Sequence, residues 1–179
     1  MAKPGRGAYP ILFLTVVVLV SVVALTLIDG ITSERILEAQ ADEVKQMLGS
    51  LFPSLDSYEL SNDTGRYAVL EDGSRIGIAF MTQAIGYGGP IDILVGLGPD
   101  HTLRGIRIIS QQETPGLGAR IVETGFLDQY VGLAVDDLAL RKDGGSVDAI
   151  TGATISSTAV TDRLREAILE MIEEGGDGP

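Results

Sequence analysis

The sequence has no cysteine, no tryptophan and a single histidine, His101. Without a thiol the chain makes no disulfide, no thiolate metal site and no cysteine-held iron–sulfur cluster. One imidazole rules out a multi-histidine metal centre built from this chain alone. Positive charge is scarce too: 13 Lys and Arg stand against 25 Asp and Glu, a formal net charge of -12. Such a chain is unsuited to nucleic acid and offers no polybasic hold on anionic lipid. Any redox chemistry then has to come from a bound organic cofactor or a carboxylate-held metal.

Charge is missing altogether between Gly7 and Ile28. The run ILFLTVVVLVSVVALTLI is 18 residues long. As a helix it reaches about 27 Å, close to the thickness of a bilayer's hydrocarbon core. The apolar part of a cleaved secretory signal is shorter, about 7–15 residues, and ends at a small-x-small site. Here the nearest such triplet, Ala39-Gln40-Ala41, lies well past the run. The run has no polar face, unlike a helix buried on one side of a soluble domain. The expectation is an uncleaved transmembrane helix over 10–28. Lys3 and Arg6 precede it, and Asp29, Glu34 and Glu38 follow with Arg35 among them. The positive-inside rule then places residues 1–9 in the cytoplasm. It places 29–179 on the outer or periplasmic side of the cytoplasmic membrane, as a single-pass protein.

Beyond the anchor, Thr32 or Ser33 caps a helix running to about Leu51, with Ile36, Val44, Met47 and Leu48 on its apolar face and Pro53 after its end. Residues 66–71 and 75–84 read as a hairpin around Asp72-Gly73. Residues 91–98 and 102–110 read as a second hairpin, with His101 a solvated turn residue. A short helical stretch follows over 126–132, then a strand over 138–142 and a last strand over 146–150. A closing helix starts at Ser156 or Ser157, with Val160, Leu164, Ile168, Met171 and Ile172 at helical spacing. The fold class is α+β: a mostly antiparallel sheet packed with helices, preceded by one N-terminal transmembrane helix.

Two loops carry candidate chemistry. The stretch SVDAITGATISSTAV holds six hydroxyl residues, Ser146, Thr151, Thr154, Ser156, Ser157 and Thr158, just ahead of an amphipathic helix. A helix start offers unsatisfied N–H groups and suits phosphate. Gly152 and Ala153 remove bulk there. On composition alone, ordinary N-caps and a turn glycine explain the stretch equally well. It lacks the lysine of a P-loop, which leaves nucleotide hydrolysis unsupported. The second loop is ETPGLGAR, Glu113 to Arg120. Pro115 stiffens it, Gly116 and Gly118 permit close backbone approach, and Leu117 is placed to cover an aromatic ring. A turn into a helix is the plain alternative.

The segment Asp148-Ala-Ile-Thr-Gly-Ala-Thr154 resembles the flavinylation motif of the FMN-binding domain family, and ETPGLG resembles that family's second hallmark. With the anchor in front, the whole chain is similar to the G subunits of Rnf ion-translocating electron-transport complexes. It is less similar to the usually larger C subunits of sodium-pumping NADH:quinone oxidoreductases. The resemblance implies FMN held covalently as a phosphoester on Thr154, attached by a separate flavin transferase with FAD as donor. Gly152, Ala153 and Ser156 then belong to the attachment site, and Asp148 and Thr151 shape the loop or assist the transferase. Glu113, Thr114, Gly116, Leu117 and Gly118 lie near the isoalloxazine ring, and Arg120 or Lys142 offsets the phosphate. The implied function is an electron carrier in an Rnf-type ferredoxin:NAD oxidoreductase ion pump. Its partners are the membrane and the other membrane and redox subunits. It is not a complete enzyme, because the chain has no recognisable nicotinamide site and no iron–sulfur ligands. The alternatives are a C-type member of a quinone-oxidoreductase complex and a membrane-tethered flavin-binding sensory module. Two departures from the commonest pattern are Thr151, where serine is frequent, and the absence of a histidine near SQQETPGLG.

Overall fold

Asp72 and Gly73 both sit at positive φ, 49° and 74°, as a two-residue hairpin turn requires. They join β2 (Arg66–Glu71) to β3 (Ser74–Ile85). The second expected hairpin is also present, as β4 (Pro90–Leu97) and β5 (Leu103–Gln111). His101 lies exposed in its turn at φ 58°. A short edge strand, β1 (Ser57–Ser61), pairs with β2, and the five-stranded sheet has the order β1-β2-β3-β4-β5 with every neighbour antiparallel. The structure, a computed structural model, describes residues 8–61 and 65–173; the side chains at 8–10, 24–41 and 124 lie outside the described ones. The chain divides into two compact units, Met1–Val44 and Lys45–Pro179.

In the second unit, strand alternation sorts side chains between the two faces of the sheet. Ile91, Ile93, Val95 and Leu97 of β4 are fully buried on one face, in a cluster with Phe80 and Ala84 of β3 and Leu103 and Ile106 of β5. The helix α3 (Thr154–Glu173) packs against β3 and adds Val160, Leu164, Ile168 and Met171 to that cluster. Ile172, expected on the same stripe, is instead 40% exposed. The other face is narrowed by glycines. A Cβ at Gly77 or Gly96 would come within 2.6 or 2.9 Å of the Phe52 ring, and one at Gly105 within 3.3 Å of Leu51. Phe52 and Leu51 thus cover that face, just after the end of α1.

Several expectations need correction. One helix, α1 (Ala8–Gly49), runs where two were expected; no proline lies between Pro10 and Pro53 to force a break. The proposed caps Thr32 and Ser33, and Ile36, lie outside the described side chains, while Leu48 is buried as expected. The stretches 138–142 and 146–150 are not strands of the sheet and share only an isolated parallel bridge, Leu140 with Val147. Their backbone bonds close locally instead, Arg141 N–H to the Val147 carbonyl (2.7 Å) and Val147 N–H to the Ala139 carbonyl (3.1 Å). Between them the chain turns back through Gly144 at φ 93°. Finally, α3 begins at Thr154 rather than at Ser156 or Ser157. Among the described residues, no helix is long and apolar enough to cross a membrane. The expected span over 10–28 lies partly outside the described side chains, and those from Ile11 to Val23 are all exposed.

Candidate functional site

The first intrahelical bond of α3 runs from Ser157 N–H to the Ala153 carbonyl, 3.0 Å. The amides of Thr154, Ile155 and Ser156 lie ahead of it, so they have no acceptor inside the helix and form its positive end. Ser157 also fixes the turn before the helix. Its hydroxyl accepts from Ile150 N–H and donates to the Ala153 carbonyl, both at 3.0 Å. Gly152 takes φ 82° within that turn, a conformation that suits glycine. The neighbouring Ser156 is buried, and its hydroxyl donates to Glu113 Oε2 at 2.8 Å. Thr151 and Thr154 are exposed. Four of the six hydroxyl residues thus divide into a pair committed to structure, Ser156 and Ser157, and an exposed pair, Thr151 and Thr154, while Ser146 and Thr158 are half-buried.

The ETPGLG loop lies opposite. Glu113 is 6% exposed, and its other carboxylate oxygen, Oε1, accepts from Gly88 N–H at 3.0 Å. Gly88 belongs to the turn between β3 and β4, closed by Gly86 N–H donating to the Gly89 carbonyl at 2.9 Å, with Tyr87 exposed at its tip. Gly86 and Gly118 make room for the Glu113 side chain: a Cβ on either would strike its carboxylate. The two loops approach at Leu117, whose Cδ2 would lie 3.1 Å from a Cβ on Gly152. Between them opens a cleft of about 410 Å³ lined by Tyr87, Glu113, Thr114, Leu117, Gly118, Gly152, Ala153, Thr154, Ile155 and Ser156. Its volume is that of a small-molecule site, and its wall mixes apolar side chains with a few polar groups.

Most of the expected site residues therefore meet at one cleft. Three do not line it: Gly116, Asp148 and Thr151. Asp148 pairs with the Arg141 guanidinium at 2.7 and 3.1 Å, and that hydrogen bond holds its carboxyl below the usual aspartate range. Its backbone is bridged to the Gln129 side chain, N–H to Oε1 at 2.7 Å and Nε2 to the carbonyl at 3.3 Å. Arg120 is engaged with Glu123 at 3.1 Å and Lys142 with Asp143 at 3.6 Å. Neither cation lines the cleft. Sequence reasoning missed Tyr87 and Ile155. The signal for Tyr87 was an aromatic set among the glycines of GYGG, where the hydrophobic alternation breaks.

The FMN-binding domain family matches residues 86–169, a region that holds the Tyr87 turn and both loops. The G subunit of the ion-translocating oxidoreductase complex of Methanosarcina acetivorans is 37% identical over 141 residues, 72% of this chain and 75% of that one. The G subunit of the proton-translocating ferredoxin:NAD(+) oxidoreductase complex of Clostridium ljungdahlii is 30% identical over 159 residues, 87% of this chain and 86% of that one. This chain belongs to the family of these G subunits. The fold is also similar to that of the C subunit of the Na(+)-translocating NADH-quinone reductase of Parabacteroides distasonis, with a TM-score of 0.52 at 23% identity over 60% of each chain. That likeness concerns the fold alone. In this member of the G-type family the FMN-binding region contains every residue lining the cleft. It also contains Asp148, Thr151 and Gly116, which do not line it.

Proposed function

We propose that this chain is the electron-carrying subunit of an ion-translocating oxidoreductase complex that oxidises ferredoxin and reduces NAD, and that it carries FMN as a phosphoester on Thr154. The two G-type relatives support complex membership, and the FMN-binding region supports the cofactor. The observation that carries the attachment point is local. Thr154 is the one hydroxyl side chain of the Ser146–Val160 stretch that both lines the cleft and is exposed. Thr151 is exposed off the cleft wall, and Ser156 and Ser157 have their hydroxyls engaged.

The residues present fit a phosphorylated flavin. The free amides of Thr154, Ile155 and Ser156 would hold the phosphate, in place of a cation. Tyr87, Leu117 and Ile155 are apolar or aromatic, exposed and on the wall, so they would cover a planar ring and exclude water from it. Bound FMN supplies one- and two-electron transfer, and the protein's part is to position the group and shield it. Attachment replaces the O–H bond of Thr154 by an O–P bond. The pyrophosphate bond of FAD breaks, AMP leaves, and the hydroxyl proton is released; a flavin transferase is the catalyst.

Membrane anchoring over 10–28 belongs to the same proposal. Its support is the uncharged run from Gly7 to Ile28 and the exposure of apolar side chains from Ile11 to Val23. Lys3 and Arg6 before the run support a cytoplasmic N-terminus and an external FMN-binding region.

The test is intact-mass measurement on the full chain made together with a flavin transferase. The wild type should carry the mass of one FMN. Thr154→Ala should lose it, Thr154→Ser should keep part of it, and Thr151→Ala should keep an attached flavin. Wild-type stoichiometry in Thr154→Ala would show the attachment point to be elsewhere.

A further inference from the structure

Among the described residues, Glu113 is the one acidic side chain lining the cleft, yet both its oxygens have protein partners: Gly88 N–H at 3.0 Å and the Ser156 hydroxyl at 2.8 Å. Three segments far apart in sequence thus meet on one buried carboxylate. Its own loop is aligned as well, through Glu113 N–H donating to Gln111 Oε1 at 2.6 Å. Gly86 and Gly118 leave space that the Glu113 carboxylate fills, beside Ile91 at the first and Ser156 at the second.

We propose that Glu113 is a positioning residue that clamps the Tyr87 turn to the first turn of α3 and so sets the width of the cleft between Tyr87 and Thr154. The inference rests on reading that cleft as the FMN site. Hydrogen bonds to a carboxylate are charge-assisted and stronger than neutral ones, and burial shields these from competing water. Loss of the carboxylate would leave Gly88 N–H and the Ser156 hydroxyl unpaired and free the turn to move. A glutamine would keep the clamp, because its oxygen accepts from Gly88 while its NH2 donates to Ser156, which as a hydroxyl can also accept.

The experiment has one readout without flavin and one with it. Hydrogen–deuterium exchange is followed at the amides of 86–89 in the full chain in detergent, made without the transferase. Exchange should be about tenfold faster in Glu113→Ala, the expected effect of losing one charged-acceptor bond, and near the wild-type rate in Glu113→Gln. In the flavinylated protein, iodide should quench flavin fluorescence more readily in Glu113→Ala and in Ser156→Ala than in wild type. Both variants keep Thr154 and should keep the flavin. Unchanged exchange in a folded Glu113→Ala overturns the clamp, as does a Glu113→Gln that exchanges as fast as the alanine variant. Should Glu113→Ala fail to fold, Ser156→Ala decides, because it leaves the Gly88 bond in place; unaltered iodide access then refutes the inference. A wild type carrying no flavin would count against the attachment proposal, while the exchange measurement would still report on the clamp.

Discussion

Replacing Gly118 with alanine should destabilise the FMN-binding region several times more than replacing Gly116. A Cβ on Gly118 would lie 2.8 Å from Ser156 Oγ and closer still to Glu113 Oε2. Backbone on one side and α3 on the other leave the Glu113 carboxylate nowhere to retreat without giving up its donors. A hydrogen bond to a charged group contributes about 1.5–3 kcal/mol, so losing both places the upper bound at roughly 3–6 kcal/mol. That is a large share of the about 5–15 kcal/mol that holds a domain together. Gly116 meets nothing within 4 Å, and its constraint is the backbone, at φ 76°. An alanine there costs about 1–2 kcal/mol for left-handed geometry, partly offset by a stiffer unfolded chain. Urea unfolding of each variant in detergent, followed by tyrosine fluorescence because the chain has no tryptophan, measures the difference. Equal midpoints, or a larger loss at Gly116, would refute the view that close packing on Glu113 is what requires a glycine at 118.

Arg141→Ala should raise the Asp148 carboxyl pKa back toward the ordinary aspartate range, read by a carboxyl carbon NMR titration. The folded-state value is depressed by the Arg141 hydrogen bond, so the pair's contribution is present above the ordinary aspartate pKa and lost as pH falls through the folded value. Both side chains are more than 60% exposed, so global stability should hardly change; an unmoved titration would deny the pairing. A reporter fused after Glu174 should be active only in its exported form, and cytoplasmic activity with an intact anchor would reverse the proposed topology.

The hairpins were legible because their signals are local. Asp72-Gly73 names its own turn, and the β4 run reads as alternation without knowledge of anything distant. The segment 138–150 misled for a related reason. Its apolar residues Leu138, Leu140 and Val147 are indeed buried, but burial does not distinguish a strand from a loop that folds back on its own carbonyls. The sequence places the start of α3 two or three residues late because serine is a strong N-cap. Here Ser157 caps from inside the helix, reaching back to Ile150 N–H. At the site, composition named both loops without revealing what holds them together. Glu113 and Ser156 are 43 positions apart, and no spacing rule connects them. Gly116 and Gly118 read alike in the sequence, yet one serves backbone geometry and the other makes room for a carboxylate.

Among the described residues, the cleft wall carries no cation. Arg120, Lys142 and Arg141 are each engaged with a neighbouring acid, and none lines the wall. A guanidinium at the phosphate would be a strong, fixed positive charge close to the flavin. Helix amides give a weaker and more directional field, which falls off within the first turn. Such an arrangement suits the phosphodiester proposed at Thr154, which would bear one charge: the ester bond would supply permanence and the amides orientation. Non-covalent retention would ask more of the site, because a cleft open at Tyr87, Leu117 and Ile155 would then hold the cofactor by the helix amides and ring contacts alone. The outward hydroxyl of Thr154 on the cleft wall supports the proposal that a bond would keep the cofactor, leaving the protein around it to set its position.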